Sequence, residues 1–358
     1  MMPRSVVFAE PARTAIGTFG GSLKDVPAPT LGATAIGATV ARAGIRPDEV
    51  ETVVMGNVVQ AGTKMNPARQ AAVHAGLPVT TPALTVNRVC GSGAQAIVSA
   101  AQEIALGNID VAVAGGMENM DLAPYLIPRA RWGYRMGDGQ LYDSVLRDGL
   151  NDAFSDAHSG WHTEDLVEKY QVTRDAQDRW ALRSQQRFAS AQAAGHFKAQ
   201  IVPVEVPGKK GPVQFDKDEH NRPDTTLETL ARLKPAFRPN GTITAGNAPG
   251  LNDAATAMVL TDATWAEKHG VAATARLVAY GLPPSSPACS GSDRFLRSNR
   301  RCSAPAGTFA RSSGSRSMKL SPRSRLWSRA SSDCLTTSPM WKAAPSPTAI
   351  RSAPPAQC

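Results

Sequence analysis

Residues 84–107 read LTVNRVCGSGAQAIVSAAQEIALG. The stretch opens with a short apolar run, which predicts a strand, and it ends in small and aliphatic residues, which predict a buried helix. Between the two lie Cys90 and the tripeptide Gly91-Ser92-Gly93. A thiol here lies at the N-terminus of the predicted helix, where free N–H groups and the helix dipole stabilise a thiolate. The two glycines leave room for a substrate to approach the backbone.

Cys90 has a second interpretation as an inert core residue, because free cysteine is among the most buried residue types. The neighbouring sequence favours catalysis. The segments VNRVCGSG, AQAIVSAAQEI and DVAVAGGMENM, all within residues 86–120, resemble the nucleophile segment of the thiolases, the acetyl-CoA acyltransferases. The resemblance identifies Cys90 as the cysteine that accepts the acyl group and holds it covalently.

The remaining N-terminal sequence alternates between predicted strands and helices. Strands are predicted at 6–10, 50–59 and 111–114, helices at 30–43 and 66–75, and a glycine-rich loop at 11–25. Continuous apolar strands separated by helices predict an α/β fold with a parallel or mixed sheet that is covered on both faces. The family implies the layered αβαβα architecture of thiolases.

From Asp121 to about residue 250 the alternation stops, and one long amphipathic helix is predicted at 174–195. Four segments here, at 148–154, 195–204, 215–223 and 233–255, resemble the thiolase loop domain that binds coenzyme A. The resemblance implies the following coenzyme A contacts: Leu150, His158, Arg222, Thr229, Ala245 and Gly250. A lone arginine or histidine on a loop is otherwise an ordinary solvated side chain.

The composition changes again at residue 282. Residues 282–358 hold 12 Lys and Arg against 2 Asp and Glu, whereas the preceding residues hold 27 against 28, so the net charge of +9 belongs to the tail. The tail also contains four of the five cysteines. A basic tail is typical of nucleic-acid or anionic-surface binding. Because its basic residues belong to no recognisable nucleic-acid-binding module, we expect no nucleic-acid partner.

The tail has two interpretations. It contains 18 Ser and 10 Pro but no Val, Glu or Tyr, which favours a disordered basic tail. Alternatively, it is a frameshifted translation. Permitted codons for residues 317–322, read one base out of frame, give Asn-Glu-Ala-Phe-Ala, and those for 339–358 give a Gly-His-Pro motif. Both motifs are expected in thiolases, so we infer a net loss of one base between the codons for residues 281 and 288.

We therefore divide the chain into four parts: a thiolase N-terminal half (1–120), a loop domain (121–250), a segment that returns to the N-terminal half and adds the first strand of the C-terminal half (251–281), and a frameshifted tail (282–358). Because of the frameshift, we expect that the rest of the C-terminal half is not formed. No run of 18 apolar residues occurs, so no membrane span is expected. The N-terminus lacks the apolar region and cleavage site of a signal peptide, which indicates a cytoplasmic protein.

The resemblance implies acyl transfer between coenzyme A thioesters through an acyl-cysteine on Cys90, with no metal and no cofactor besides the thioester substrate. It also implies a homo-oligomer, either a dimer or a tetramer. Three further catalytic groups of the family, a histidine, an asparagine and a second cysteine, belong to motifs that the chain as written lacks. We therefore expect impaired activity. The alternatives are a non-catalytic acyl-CoA-binding remnant and a ketoacyl synthase, against which the loop domain argues.

Overall fold

The computed structural model describes residues 4–281 of the chain. The helices are α1 (Ala28–Ala43), α2 (Pro67–His74), α3 (Ser92–Leu106), α4 (Ser159–Lys169), α5 (Arg174–Ala193), α6 (Leu227–Ala231) and α7 (Ala263–Lys268). The strands are β1 (Val6–Thr14), β2 (Gly17–Thr18), β3 (Thr52–Gly56), β4 (Ala83–Val86), β5 (Val111–Glu118), β6 (Tyr125–Leu126), β7 (Tyr142–Asp143), β8 (Ile201–Val202), β9 (Val204–Val206), β10 (Val213–Phe215), β11 (Asn252–Asp262) and β12 (Ala275–Arg276).

The main sheet is mixed, as the sequence predicts. Its strand order is β12-β1-β11-β5-β3-β4, with β2 paired to β11 and β8 paired to β1. The pairs β1–β11 and β11–β5 are antiparallel, whereas β5–β3 and β3–β4 are parallel. The two parallel pairs end on the same side, where β4 leads into the Cys90 segment.

Helices cover both faces of this sheet because its central strands alternate apolar side chains between them. On one face, Val53 and Met55 of β3 belong to a core with buried residues of α1 and α2. On the other face, Val54 of β3 belongs to a second core that includes Ala96 and Ile104 of α3. The predicted α/β arrangement is thus present in the described residues.

Strand β1 continues past the point where the sequence places a loop. Pro11 has no N–H to donate to a neighbouring strand, so a regular strand is not expected to continue through it. The structure instead carries the strand to Thr14, with a register shift against β11 between Ala9 and Ala12 and Glu10 at φ 39°. Proline is tolerated within a sheet at such a bulge. The predicted loop at 11–25 is therefore wrong over its first residues.

The chain leaves the main sheet after Glu118 and returns with β11. The intervening residues include α4, α5 and α6 and contact the sheet through a bidentate ion pair, in which Arg13 Nη1 and Nη2 lie 2.7 and 2.9 Å from the carboxylate of Asp218. Asp218 also accepts a hydrogen bond from Ile16 N (2.8 Å) and is 4% exposed. The insertion is therefore fixed to the first strand by a buried carboxylate.

No helix within residues 4–281 is both long enough and apolar enough to cross a membrane. The predictions of a frameshifted tail at 282–358, with its four cysteines, and of a C-terminal half that is not formed fall outside the described residues. The division of the chain into four parts stays a prediction.

Candidate functional site

Cys90 lies in a tight turn between a strand and a helix. Strand β4 ends at Val86, and α3 begins at Ser92 with Gly91 as its N-cap residue. Cys90 is exposed and is not in a disulfide. The turn therefore presents the thiol to solvent beside the first N–H groups of a 15-residue helix, which is the placement that the sequence predicts.

The turn is held in a strained conformation by the first residue of α3. Val89 has φ 48°, in the left-handed region that β-branched residues rarely adopt. The hydroxyl of Ser92 accepts a hydrogen bond from Arg88 N (2.8 Å) and donates one to Val89 O (2.6 Å). Such strain persists only where surrounding contacts determine the conformation, and it is concentrated at functional sites.

The N-terminus of α3 approaches β3 closely because Gly56 has no side chain. A Cβ atom built at Gly56 would lie 2.7 Å from both the carbonyl carbon and Cβ of Ser92 and 2.8 Å from Gly93 N. These atoms belong to rigid parts of the first helical turn. The glycine at the end of β3 therefore sets the position of the turn that carries Cys90.

A carboxylate at the end of β5 binds the backbone that follows β3. Glu118 accepts hydrogen bonds from Val58 N (2.8 Å) and Val59 N (3.2 Å), and from the side-chain amide of Asn57 (2.8 Å). Burial raises the pKa of Glu118 to about 7, although the three hydrogen bonds oppose this rise. Sequence reasoning missed Glu118, because its partners are about 60 residues away in the chain.

Within residues 4–281, no side chain forms a hydrogen bond with the Cys90 thiol. The six histidines of the chain all fall in this range, and none of them contacts the sulfur by a hydrogen bond. In the described part, the Cys90 sulfur therefore has the N-terminus of α3 beside it and no side-chain hydrogen-bond partner.

Leu150 lies at the end of a short π-helix, Val145–Leu150, and is half-buried. The preceding residue, Gly149, faces Val59, since a Cβ built there would be 3.6 Å from Val59 Cγ2. Val59 is the same residue whose N–H binds Glu118. The Leu150 turn thus packs on the segment that also borders the Cys90 turn. Single-turn π-helices are frequent at functional sites.

His158 is the N-cap residue of α4. Its Nδ1 accepts a hydrogen bond from Gly160 N at 2.9 Å, and its ring stacks on Phe237 with a centroid distance of 4.6 Å. Burial lowers the pKa of His158. In the neutral ring the proton is then on Nε2, which leaves an N–H that can donate to a ligand. Sequence reasoning missed Phe237, which holds the imidazole in place.

The segments that carry Arg222, Thr229 and Ala245 are bound to α5. Gln185 of α5 accepts from Arg222 N (2.9 Å), and Arg174 donates to the carbonyl of Leu230, one residue after Thr229. Asp178 accepts from Asn247, two residues after Ala245, at 2.9 Å. The side chains of the three predicted residues remain exposed.

At two of the predicted coenzyme A contacts, Thr229 and Gly250, neighbouring groups restrict which interactions the residue can make. The Thr229 hydroxyl accepts a hydrogen bond from Thr226 N (3.0 Å) and donates to Thr226 O (2.9 Å), so it serves first as part of the cap of α6. A Cβ built at Gly250 would lie 2.2 Å from the ring of His220. That position therefore accepts no larger residue unless the imidazole moves.

The six predicted contacts thus lie in the insertion, and within the described residues no hydrogen bond joins any of them to Cys90. Gly149, the neighbour of Leu150, faces Val59, and His158 is held by Phe237. The other four are carried on exposed segments, three of them bound to α5. Their role as coenzyme A contacts stays a prediction.

An exposed thiol at the N-terminus of a helix that packs on a mixed sheet is the arrangement that the sequence predicts for a cysteine nucleophile. Residues 6–264 match the family profile described as "Thiolase, N-terminal domain". This match covers more than half of the chain, and the chain belongs to the thiolase family. Thiolases are enzymes that act on acyl-CoA substrates.

Relatives agree with the family and with the predicted fold. Acetyl-CoA acetyltransferase of Pseudomonas aeruginosa is 49% identical over 289 residues, which are 80% of this chain and 74% of the relative. Beta-ketothiolase BktB of Cupriavidus necator is 52% identical over 282 residues, or 78% and 71% of the two chains. The crystal structure of the Bacillus anthracis acetyl-CoA acetyltransferase matches with a TM-score of 0.78 at 42% identity, covering 80% of this chain and 73% of that one. The predicted thiolase fold and family are confirmed.

Proposed function

We propose that this chain is an acyltransferase of the thiolase type, in which Cys90 accepts an acyl group from a coenzyme A thioester. The observation that carries the proposal is the exposed thiol beside the N-terminus of α3, in a chain whose residues 6–264 match the thiolase N-terminal domain. Curated relatives at 48–52% identity are named acetyl-CoA acetyltransferase and beta-ketothiolase. The substrate is therefore proposed to be acetyl-CoA, acetoacetyl-CoA or another 3-ketoacyl-CoA.

In the first half-reaction, the Cys90 sulfur attacks the thioester carbonyl carbon. The bond between that carbon and the sulfur of coenzyme A breaks, the acyl group stays on Cys90, and the thiol proton leaves with the coenzyme A thiol. The partial positive charge of the α3 N-terminus lies beside the attacking sulfur.

In the second half-reaction of synthesis, the methyl carbon of a second acetyl-CoA loses a proton and attacks the acyl carbon, and the Cys90 sulfur leaves, which gives a 3-ketoacyl-CoA. Thiolysis is the reverse: Cys90 attacks the 3-keto carbon, the C2–C3 bond breaks and acetyl-CoA leaves with the proton. The thiol of coenzyme A then takes the acyl group from Cys90 and returns a proton to its sulfur.

The insertion is proposed to hold the coenzyme A part of the substrate. Leu150 and His158 flank the pantetheine, Arg222 lies near the nucleotide end, and Thr229, Ala245 and Gly250 line the remainder. The Nε2–H of His158 supports this assignment, because it is a directed donor on a ring that Phe237 holds in place. The reaction needs no further cofactor, since the coenzyme A thioester is itself a substrate.

The second half-reaction is proposed to be impaired in this chain. Carbon–carbon bond formation needs a base for the acetyl-CoA methyl group and donors for the enolate oxygen, and the family takes both from motifs that this sequence lacks. Removal of one oxyanion donor costs about 100–1,000-fold in rate, and removal of general acid–base help costs about 100–10,000-fold. A non-catalytic acyl-CoA-binding remnant is the alternative, in which even the first half-reaction fails.

A cytoplasmic location and a dimeric or tetrameric assembly complete the proposal. Both are expectations from the family and from the sequence.

Release of coenzyme A tests the first half-reaction. Purified chain incubated with excess acetyl-CoA is expected to release about one equivalent of coenzyme A, measured by chromatography, and then to stop. The C90A variant, which keeps the fold and removes the nucleophile, is the control and is expected to release none. Equal release by the two proteins would contradict the role of Cys90, and no release by either would favour the acyl-CoA-binding remnant.

A further inference from the structure

Consecutive N–H groups of Val58 and Val59 lie just beyond the end of β3, where no strand accepts them. Buried N–H groups without an acceptor are costly, so a protein must supply one. Glu118 supplies it from β5, at 2.8 Å to Val58 N and 3.2 Å to Val59 N. The side chain of Asn57 donates to the same carboxylate at 2.8 Å. One carboxylate therefore fixes three donors of a single short segment.

The segment fixed by Glu118 is connected to the residues before Cys90 by the side chain of Asn87 and by one backbone hydrogen bond. Asn87 Nδ2 donates to Val58 O at 3.4 Å, and Asn87 Oδ1 accepts from Val89 N at 2.9 Å. Asn57 N also donates to Val86 O, at 3.1 Å. The backbone on both sides of Asn87 is thus attached to the residues that Glu118 holds.

Val89 is the residue at which this connection matters. It precedes Cys90 directly and has φ 48°, a conformation that a β-branched residue adopts only under restraint. Two side chains restrain the backbone of Val89: Asn87 accepts a hydrogen bond from its N–H, and Ser92 donates one to its carbonyl oxygen. Loss of the first would let Val89 relax and would move the thiol relative to the α3 N-terminus.

We infer that Glu118 is a positioning residue for Cys90, acting through the 57–59 segment and Asn87 on the backbone of Val89. The inference rests on the proposed role of Cys90 and assigns a further residue to the same reaction. Glu118 does not reach the substrate in this account. Its carboxylate determines where the nucleophile lies.

Replacement of Glu118 by glutamine tests this above pH 7, where Glu118 is ionised: a carboxylate only accepts hydrogen bonds, whereas an amide also donates. Three donors converge on the two carboxylate oxygens, so either orientation of the amide places its NH₂ against at least one of them. The change also removes a negative charge. A purely electrostatic role for Glu118 would therefore predict a more reactive thiolate in E118Q, and a positioning role predicts a less reactive one.

Glu51 provides a matched control. Its carboxylate accepts hydrogen bonds from two consecutive N–H groups, Asp110 N (2.6 Å) and Val111 N (3.0 Å), at the opposite end of β3 and β5. E51Q makes the same chemical change on the same pair of strands and is expected to leave Cys90 unaffected.

The measurement is the rate of alkylation of Cys90 by iodoacetamide as a function of pH, followed in the full chain by mass spectrometry of the Cys90 peptide. This probe needs no coenzyme A binding, so failure of the proposed acylation would not affect it. We expect the E118Q profile to move to higher pH by about half a unit, and hence about a threefold lower rate at pH 8, which is the scale of a helix-terminus interaction with a charge. A change in overall stability alone would not move this profile.

A second variant, N87A, removes the connection at an exposed residue and is expected to move the profile in the same direction. Because both changes act along one route, E118Q/N87A is expected to be no slower than the slower single variant. An E118Q profile that coincides with that of the unmodified chain, or lies at lower pH, would overturn the inference. Rate losses that multiply in the double variant would also overturn it. If E118Q does not fold, an unchanged profile in N87A would be the refuting result.

Discussion

Replacement of Gly56 by alanine would place a methyl group against the first turn of α3. The added Cβ would lie 2.7 Å from two atoms of Ser92 and 2.8 Å from Gly93 N, whereas carbon atoms pack at about 3.5–4.0 Å. The N-terminus of α3 must therefore move by about 1 Å, a shift estimated from this difference in contact distance. Gly56 does not have a positive φ, so the effect of the substitution comes from this contact.

The expected loss of stability is about 2 kcal/mol, in the range for forcing extra atoms into a packed core. A displacement of about 1 Å at a reacting group can cost up to about 100-fold in rate, so acylation of Cys90 should slow more than stability alone suggests. The assays are urea unfolding followed by circular dichroism and the rate of Cys90 acetylation by acetyl-CoA.

G37A is the matched control. A Cβ at Gly37, in the middle of α1, would meet only Ala75 O, at 3.8 Å. Alanine there is expected to stabilise the chain by about 0.5–1 kcal/mol, because glycine is unfavourable inside a helix. If G56A is as stable as G37A and acetylates Cys90 at the unmodified rate, the reasoning that Gly56 positions this turn is refuted.

Three further predictions concern other parts of the chain. Burial, reinforced by the neighbouring Asp121, raises the pKa of Asp253 to about 7; a folded-state pKa above the unfolded value of about 3.9 stabilises the fold at low pH and loses this contribution as the pH rises to 7. D253N mimics the protonated form, so its gain in free energy of unfolding over the unmodified chain should be larger at pH 8 than at pH 4, and an equal difference at both pH values would count against this. H158A should cost about 2 kcal/mol through loss of the N-cap and of the stacking on Phe237. H158N should keep the cap and lose about half of that in urea unfolding, and equal losses in the two variants would show that the cap contributes nothing. The rate of acetoacetyl-CoA thiolysis should be near background for this chain and should rise for the protein encoded after one base is restored before the codon for Ala288. Comparable rates for the two proteins would show that the missing motifs are dispensable.

The sequence predicts the local elements well where one signal dominates. Helix α1 ends at Gly44, which has φ 70°, as the glycine after an apolar helical period predicts. Helix α5 begins after Thr173, whose hydroxyl accepts from Ala176 N at 3.2 Å and so caps the helix. The end of strand β1 is not predictable from the sequence. Pro11 indicates that the strand stops at Glu10, and only the bulge against β11 explains why it continues to Thr14.

The site is predicted only in part, for a physical reason. Cys90 is recognisable because its strand, glycines and helix are adjacent in the sequence. Glu118 and Phe237 are not, since their partners lie about 60 and 80 residues away and meet them only in the folded chain. From the sequence alone, a carboxylate at the end of an apolar strand is expected to be solvated. Only the structure shows that Glu118 accepts hydrogen bonds from the N–H groups of Val58 and Val59.

Acetylation of Cys90 tests the central claim most directly. The full chain is incubated with acetyl-CoA at pH 7.5, digested, and examined by mass spectrometry, with iodoacetamide alkylation in parallel to show which of the five cysteines are accessible. We expect the acetyl group on the Cys90 peptide and none on the other four cysteines. An acetyl group mainly on Cys302 or Cys334, or a Cys90 that iodoacetamide alkylates but acetyl-CoA leaves unmodified, would contradict the account.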